Sequence, residues 1–225
     1  MGTVTVLPET TRNPITLIGK RAGVCWGADT GDDEKNYKRG LDCINSGHGR
    51  TLEFVNVETI LDGYSARVIR EWYTHIGGAP TRLQESTRYV DSGSFGFVIP
   101  DSIRENNQAM ARYVAVMDEI RGAVKMMEHI LNIPREDAAM LLPLGMATRV
   151  VDKRNLRNLV DISRQRMCVR AYWEFRELFD DLLCALEEYS DEWQEVIEMT
   201  MHAKCYELGY CPEKHGCGKY KRRSE

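Results

Sequence analysis

The sequence predicts an α+β fold, with long helices beside a small set of short strands. Three observations predict it. Apolar residues recur at helical spacing through extended runs in the C-terminal half. Short β-branched and aromatic runs, bounded by Pro, Gly and Asn, punctuate the N-terminal half. No internal repeat or linker divides the chain, so residues 1–225 read as one domain, ending in a short Cys/Gly-containing tail from about 205 to 225.

The elements follow in order. Residues 3–7 (TVTVL) and 15–18 (ITLI) read as short strands separated by Pro8 and Asn13-Pro14. Residues 28–35 (ADTGDDEK) form a polar loop opening a helix over 37–44, and its acidic cluster reads as a solvated helix start rather than a cation site. Residues 52–58 (LEFVNVE) read as a strand. Residues 65–72 (SARVIREW) read as a helix through Val68, Ile69 and Trp72, and 94–99 (SFGFVI) as a strand ended by Pro100.

A long amphipathic helix is predicted over 102–131, with Met110, Val114, Met117, Val124, Met127 and Leu131 on one stripe. Its methionines read as core filler, and His129 near its end as a favourable helix-terminal cation rather than a ligand. Asn132-Ile133-Pro134 breaks the helix, Pro134 opens a short one, and 142–145 (LPLG) stops it. A second long helix is predicted over 154–189, carrying Leu159, Ile162, Trp173, Leu178, Leu182 and Leu186, and a third over 191–205.

Composition excludes several classes of function. A hydrophobic fraction of 43% and a charged fraction of 28% are those of a soluble globular protein. A formal net charge of −4 argues against a general binder of nucleic acid or anionic membrane. No run approaches the roughly 20 apolar residues of a membrane span. The N-terminal MGTVTVLPETTRNP lacks the basic and apolar regions of a signal peptide. The cysteine count of 7 is odd and the residues are scattered, as expected of reduced thiols in a cytoplasm. Cys205, Cys211 and Cys217 lack the close pairing of zinc ligands, so no metal is expected.

Two stretches carry the chemistry. Residues 73–89 (YTHIGGAPTRLQESTRY) crowd His75, two arginines, hydroxyls and glycines into one irregular segment. Within it, Gln84, Glu85, Ser86, Thr87 and Arg88 fit either a solvated turn or a phosphate site, where Arg88 would present a planar fork of donors. In the second predicted long helix, Asn155, Asn158, Ile162 and Arg166 share one face, and Arg157 and Asp161 form an i, i+4 pair. This polar edge either faces water or lines a cleft.

Together these stretches resemble the flavin-dependent thymidylate synthases. That family carries an RHR triplet, a spacer, and then S-x-N-E-x-S-x-R-Y. The second half survives here as Gln84-x-Ser86-x-Arg88-Tyr89. Glu53 falls on the family's Leu-Glu-His strand motif, and Gly63-Tyr64-Ser65 on its Gly-Val-Ser helix start, which places His75 on the central histidine of RHR. Leu142-Pro143, Thr148-Arg149, Asn155-Leu156-Arg157, Arg166 and Glu174-x-Arg176 then match the LP, TR, NLR, activating-arginine and EIR elements in register, and Cys-Pro-Glu at 211–213 resembles family tails.

The resemblance implies an α+β fold of long helices packed with a small mixed sheet, and the reductive methylation of dUMP to dTMP. It implies methylenetetrahydrofolate as carbon donor, FAD as hydride carrier, NADPH as reductant, and a cytoplasmic homotetramer with sites shared between subunits. By position, His75, Asn56, Asn155, Arg157 and Asp161 would contact FAD. Gln84, Glu85, Ser86, Thr87 and Arg88 would hold dUMP, and Arg166 would polarise the pyrimidine.

This chain departs from the family at several positions. Thr74 and Ile76 replace both RHR arginines, and two residues are added within 77–80. Gln84 stands for a glutamate, Leu83 for an asparagine, Phe54 for the strand histidine, Glu71 and Tyr172 for glutamines, and Ala139 for an arginine. Each charged hydrogen bond lost is worth roughly 1.5–3 kcal/mol. Arg82 is the expected cofactor-side replacement, with Arg149 second. The substitutions leave open a related enzyme for another pyrimidine nucleotide, or a relative that binds flavin without catalysis.

Overall fold

The computed structural model describes residues 2–223, so the last two residues of the tail lie outside it. The chain divides into two compact units. One holds the residues up to Thr3, Leu61–Tyr73 and Leu83–Val151; the other holds Val4–Ile60, Thr74–Arg82 and everything from Asp152 onward. The strands are β1 (Thr3–Val6), β2 (Asn56–Ser65), β3 (Thr81–Gln84) and β4 (Ala147–Asn155), in the sheet order β1-β2-β4-β3. The expected small sheet is therefore present, and its strands run antiparallel rather than mixed.

The unit that opens at Val4 is mainly helical. It contains α1 (Pro14–Cys25), α2 (Asp33–Asn45), α7 (Leu156–Arg166), α8 (Trp173–Tyr189), α9 (Asp191–Thr200) and α10 (Lys204–Leu208). The run ITLI, expected as a strand, instead opens α1. Pro14 stands in its first turn, and Ile15, Ile18 and Ala22 bury one helical face. Its partner is α2, and the two backbones meet at glycines. A Cβ on Gly19 would lie 1.7 Å from the Asn36 carbonyl oxygen, and one on Gly40 would lie 2.0 Å from that of Ile15. Ile15, Ile18, Leu156, Leu159, Ile162, Phe175, Leu178, Leu182, Trp193 and Val196 form the core of this unit. Trp193 Nε1 donates to the Thr11 carbonyl at 2.8 Å, tying α9 to the chain before α1.

The second unit contains α3 (Ala66–Trp72), α4 (Asp101–Arg104), α5 (Asn107–His129) and α6 (Arg135–Ala138). Ser65 caps α3 by accepting from the Val68 amide at 3.1 Å. The helix expected over 102–131 is divided because Asn106 accepts from the Gln108 and Ala109 amides and starts α5 anew. Val68, Ile69, Trp72, Met117, Val124 and Val150 lie in its core.

Four further expectations are corrected. Residues 94–99 form no named strand, although Phe97 makes an isolated bridge to Met146. The first part of 52–58 is a 3-10 turn, Gly49–Phe54, and pairing begins only with β2. The predicted helix 154–189 is two helices, α7 and α8, and its first residues belong to β4. The third predicted helix stops at Thr200 and resumes as the short α10.

Strand β4 escapes the sequence pattern for a physical reason. Its buried positions are Thr148, Val150, Asp152 and Arg154 in alternation, then Asn155 at its end, so half of the alternating inward phase is charged. The pair compensates itself. Arg154 Nε lies 2.5 Å from Asp152 Oδ2 and Nη2 lies 2.8 Å from Oδ1, with both side chains 1% exposed. Among the described residues, no helix is long and apolar enough to cross a membrane.

Candidate functional site

The sequence-predicted residues fall into clusters within each unit. In the helical unit, the centre is His75. Arg166, at the end of α7, donates from Nε to His75 Nε2 at 3.0 Å. The two residues are 91 positions apart in sequence. Phe175, fully buried in α8, backs both. Its ring meets that of His75 edge-on at 5.5 Å, and the Arg166 guanidinium carbon lies 4.5 Å from its centroid.

This setting fixes the protonation of His75. Burial first, then the charges of Arg166 and Arg154, push its pKa from 6.5 down to about 4. The imidazole is therefore neutral at physiological pH. Because Nε2 accepts from Arg166, its proton resides on Nδ1. The result is a permanently charged, planar guanidinium held by a neutral ring and an aromatic platform.

Residues 77–80 complete this cluster. Gly78 and Ala79 both adopt left-handed backbone, with φ of 72° and 52°, and the Ala79 amide donates to the Ile76 carbonyl. A Cβ on Gly78 would lie 2.4 Å from Asn155 Nδ2, so the inserted turn is seated against Asn155. Asn155 caps α7, accepting from the Asn158 amide at 2.9 Å. Asn158 Oδ1 in turn accepts from Arg154 Nη1 at 2.6 Å. A buried chain of polar contacts thus runs from Asp152 through Arg154 to the start of α7.

A cavity of about 470 Å³ opens in the same unit. Arg157 and Asp161 line it, with His48, Arg164, His202 and Tyr206. Arg157 pairs with Glu53 at 2.6 Å, and Arg164 with Asp161 at 3.1 Å and Glu207 at 2.7 Å. All these side chains are well exposed, so each pair is worth only about 0–1 kcal/mol and exchanges readily for a ligand anion. Of the other predicted cofactor residues, Asn56 stands at the start of β2, its side chain directed to the Phe54 carbonyl at 3.4 Å. Arg82 is half-buried in β3. Neither lines the cavity.

In the other unit, residues 84–88 form a turn fixed to β4. The Glu85 amide donates to the Arg149 carbonyl at 2.8 Å, and Gln84 Nε2 donates to Thr148 Oγ1 at 3.1 Å. Ser86 organises the turn itself: its carbonyl accepts from the Tyr89 and Val90 amides, and its Oγ from the Arg88 amide. Glu85, Ser86, Thr87 and Thr148 line a cavity of about 220 Å³. Arg88 does not line it; its Nε pairs with Glu136 at 3.0 Å on the exposed surface. Arg149 is likewise directed to Asp62, at 3.4 Å.

Sequence reasoning missed Phe175 and the Asp152–Arg154 pair, and it named Thr148 and Asn158 without their contacts to Gln84 and Arg154. For the pair, the available signal was the period-2 alternation of 148–154, masked by its charges.

Comparison with known proteins places the chain in a family. The profile of the family described as "Thymidylate synthase complementing protein" matches residues 6–190. The chain is 32% identical over 191 residues to a flavin-dependent thymidylate synthase of Nitratidesulfovibrio vulgaris, covering 80% of this chain and 75% of that one. It is 29% identical to that of Pyrococcus abyssi, covering 94% and 92%. Among solved structures, the flavin-dependent thymidylate synthase of Helicobacter pylori, complexed with FAD and dUMP, superposes with a TM-score of 0.67. That likeness is at 21% identity and covers 86% of this chain and 99% of that one, and it establishes a shared fold.

Proposed function

The chain belongs to the thymidylate synthase complementing protein family, and from that premise we propose that it is a flavin-dependent thymidylate synthase. It converts dUMP to dTMP, with methylenetetrahydrofolate as carbon donor, FAD as hydride carrier and NADPH as reductant. The observation that carries the reading is the His75–Arg166 pair. The residues assigned by resemblance to the flavin and to the pyrimidine are hydrogen-bonded at 3.0 Å.

The residues fit FAD. Arg157 and Arg164 place exchangeable guanidinium groups on one cavity, suited to a diphosphate, and His202 and Tyr206 add two rings with centroids 4.0 Å apart, tilted by 32°. Asn155 and His75 would meet the flavin from the second cluster, with Asp161, Asn56 and Arg82 as further contacts. The half-burial of Arg82 and its place in the same unit as His75 support it as the replacement for the arginines lost at Thr74 and Ile76. Bound there, FAD would supply hydride-transfer chemistry. The carbon enters at the methylene level and leaves at the methyl level, so each turnover requires one hydride.

The protein's own contribution is electrostatic. Arg166 stabilises negative charge developing at N3 and O2 of the pyrimidine as C5 becomes nucleophilic. A donor of this kind is typically worth about 2.7–4 kcal/mol of transition-state stabilisation. Neutral His75 orients the guanidinium without adding a competing cation, and Phe175 shields the pair from water. Ser86, Thr87 and Arg88 hold the dUMP phosphate, Gln84 and Glu85 its remaining polar groups. Arg88 reaches the phosphate by leaving Glu136, at a cost of about 0–1 kcal/mol.

Large apolar side chains exposed in a single copy support a homotetramer: Ile76 is 71% exposed, Leu83 73% and Met140 85%. The family match over residues 6–190 draws on both units and supports reading them as one domain. The composition supports a cytoplasmic location. The test is tritium release from dUMP labelled at C5, with FAD, NADPH and methylenetetrahydrofolate supplied. Release is expected; silence with dUMP but release from the matching dCMP would move the assignment to another pyrimidine nucleotide.

A further inference from the structure

The geometry points to a divalent-cation site formed by Asp91, Glu128 and His129, for an ion of the manganese and zinc class that takes mixed oxygen and nitrogen ligands. All three residues belong to the unit containing Leu83–Val151. One donor atom from each lies within 4.8 Å of the other two. Asp91 begins the turn that follows residues 84–88, and Glu128 and His129 end α5.

The second observation is Glu128 itself. Its side chain is 2% exposed, and both of its carboxylate oxygens are buried without a hydrogen-bond partner among the described residues. A desolvated carboxylate needs compensation. Arg135 Nε lies 3.7 Å from Glu128 Oε2, beyond hydrogen-bond range. That guanidinium makes its hydrogen bond elsewhere, donating from Nη1 to the Tyr89 carbonyl at 3.0 Å, and meets Glu128 only as a long ion pair. Glu128 thus brings a buried carboxylate, with neither oxygen hydrogen-bonded among the described residues, to within 4.8 Å of donor atoms of Asp91 and His129.

The neighbouring groups suit this role. Asp91 Oδ1 accepts from the Gly93 amide at 2.8 Å, which orients the carboxylate while leaving it lone pairs to donate to a cation. Ligand atoms around an ion at about 2.1 Å stand roughly 3 Å apart, so the cluster must contract. Asp91 and His129 are exposed and can move, whereas Glu128 is the fixed ligand. Two carboxylates and one imidazole exclude a soft-metal site and match manganese or zinc. An ion there would clip the end of the 84–88 turn to the end of α5.

The test is a titration of the metal-free full chain with Mn²⁺, reading the loss of the free-ion signal by electron paramagnetic resonance. Manganese is the probe because the free thiols of this chain prefer softer metals. One bound ion per chain is expected. Asp91→Asn, Glu128→Gln and His129→Gln should each weaken binding by more than the roughly 10–100-fold lost with an outer-shell partner. Arg135→Gln should tighten it by removing a competing cation. Circular dichroism verifies that each variant folds. Absence of Mn²⁺ binding, or equal affinity in wild type, Glu128→Gln and His129→Gln, would overturn the site and leave Arg135 as the counter-ion of Glu128.

Discussion

Replacing Gly78 by alanine tests whether the inserted turn at 77–80 is part of the site or an ornament on it. Two costs add. Gly78 has a φ of 72°, and left-handed backbone costs an L-residue about 1–2 kcal/mol. The new Cβ would also lie 2.4 Å from Asn155 Nδ2 and 2.9 Å from Oδ1, closer than any real contact. Asn155 must then move, and with it goes the cap on α7 made to the Asn158 amide at 2.9 Å. Losing an Asn cap costs about 0.5–2 kcal/mol. The expected total is about 1.5–4 kcal/mol, seen in urea unfolding as a lower midpoint at unchanged slope. Flavin affinity should fall in parallel, since Asn155 is a proposed contact. The double variant Gly78→Ala/Asn155→Gly isolates the mechanism. Once the Asn155 side chain is gone the clash is gone, and the two costs should fall short of additive by about 0.5–2 kcal/mol. A single-variant loss under about 0.5 kcal/mol, or strict additivity in the double variant, would refute the claim that the insert acts through Asn155.

Arg166→Ala should fold normally and lower tritium release by about 100- to 1000-fold; turnover near wild type would remove its catalytic role. Arg88→Ala should weaken nucleotide binding by roughly 10- to 100-fold, the worth of a charged hydrogen bond, with little change in melting temperature because its Glu136 pair is exposed; unchanged affinity would refute the phosphate contact. His75 has a folded pKa lowered from 6.5 to about 4, so the unfolded chain binds more protons between those values. Its contribution is present above pH 6.5 and is lost as the pH falls toward 4; His75→Gln should flatten that acid limb in pH-resolved unfolding. Arg154→Met should cost about 3–5 kcal/mol by stranding buried Asp152, and Asp152→Leu in the same chain should recover most of it; a single variant as stable as wild type would show that the pair does not carry β4.

Legibility in the sequence followed how local each signal was. Helices α2 and α3 announce themselves through Asp32 and Ser65, each of which caps its own helix. The run ITLI was ambiguous because a short apolar stretch serves a strand or a helix equally. What decides it is the close approach of Gly19 and Gly40, a tertiary fact. The break between α7 and α8 falls in MCVRAY, which holds neither Gly nor Pro, and nothing local marks it. The site shows the same division. His75 and Arg166 were each found by the order and spacing of motifs, while their mutual hydrogen bond depends on packing against Phe175.

The charge lost from the family pattern can be traced through the arginines that remain. Thr74, Ile76 and Ala139 stand where three cationic contacts would be expected. Arg154 is a poor substitute despite facing the same cluster. Its pair with Asp152 is buried, and breaking such a pair costs about 3–5 kcal/mol, more than the roughly 1.5–3 kcal/mol that a new charged hydrogen bond returns. Arg157, Arg164 and Arg88 are different. Each sits in an exposed pair worth about 0–1 kcal/mol, so transfer to a ligand phosphate is net favourable. The balance assigns anion binding to arginines in surface pairs and leaves Arg154 a structural task, fixing Asn158 and the start of α7. Arg157→Ala should therefore weaken flavin binding while leaving stability within about 0.5 kcal/mol of wild type, the inverse of the stability loss expected for Arg154→Met.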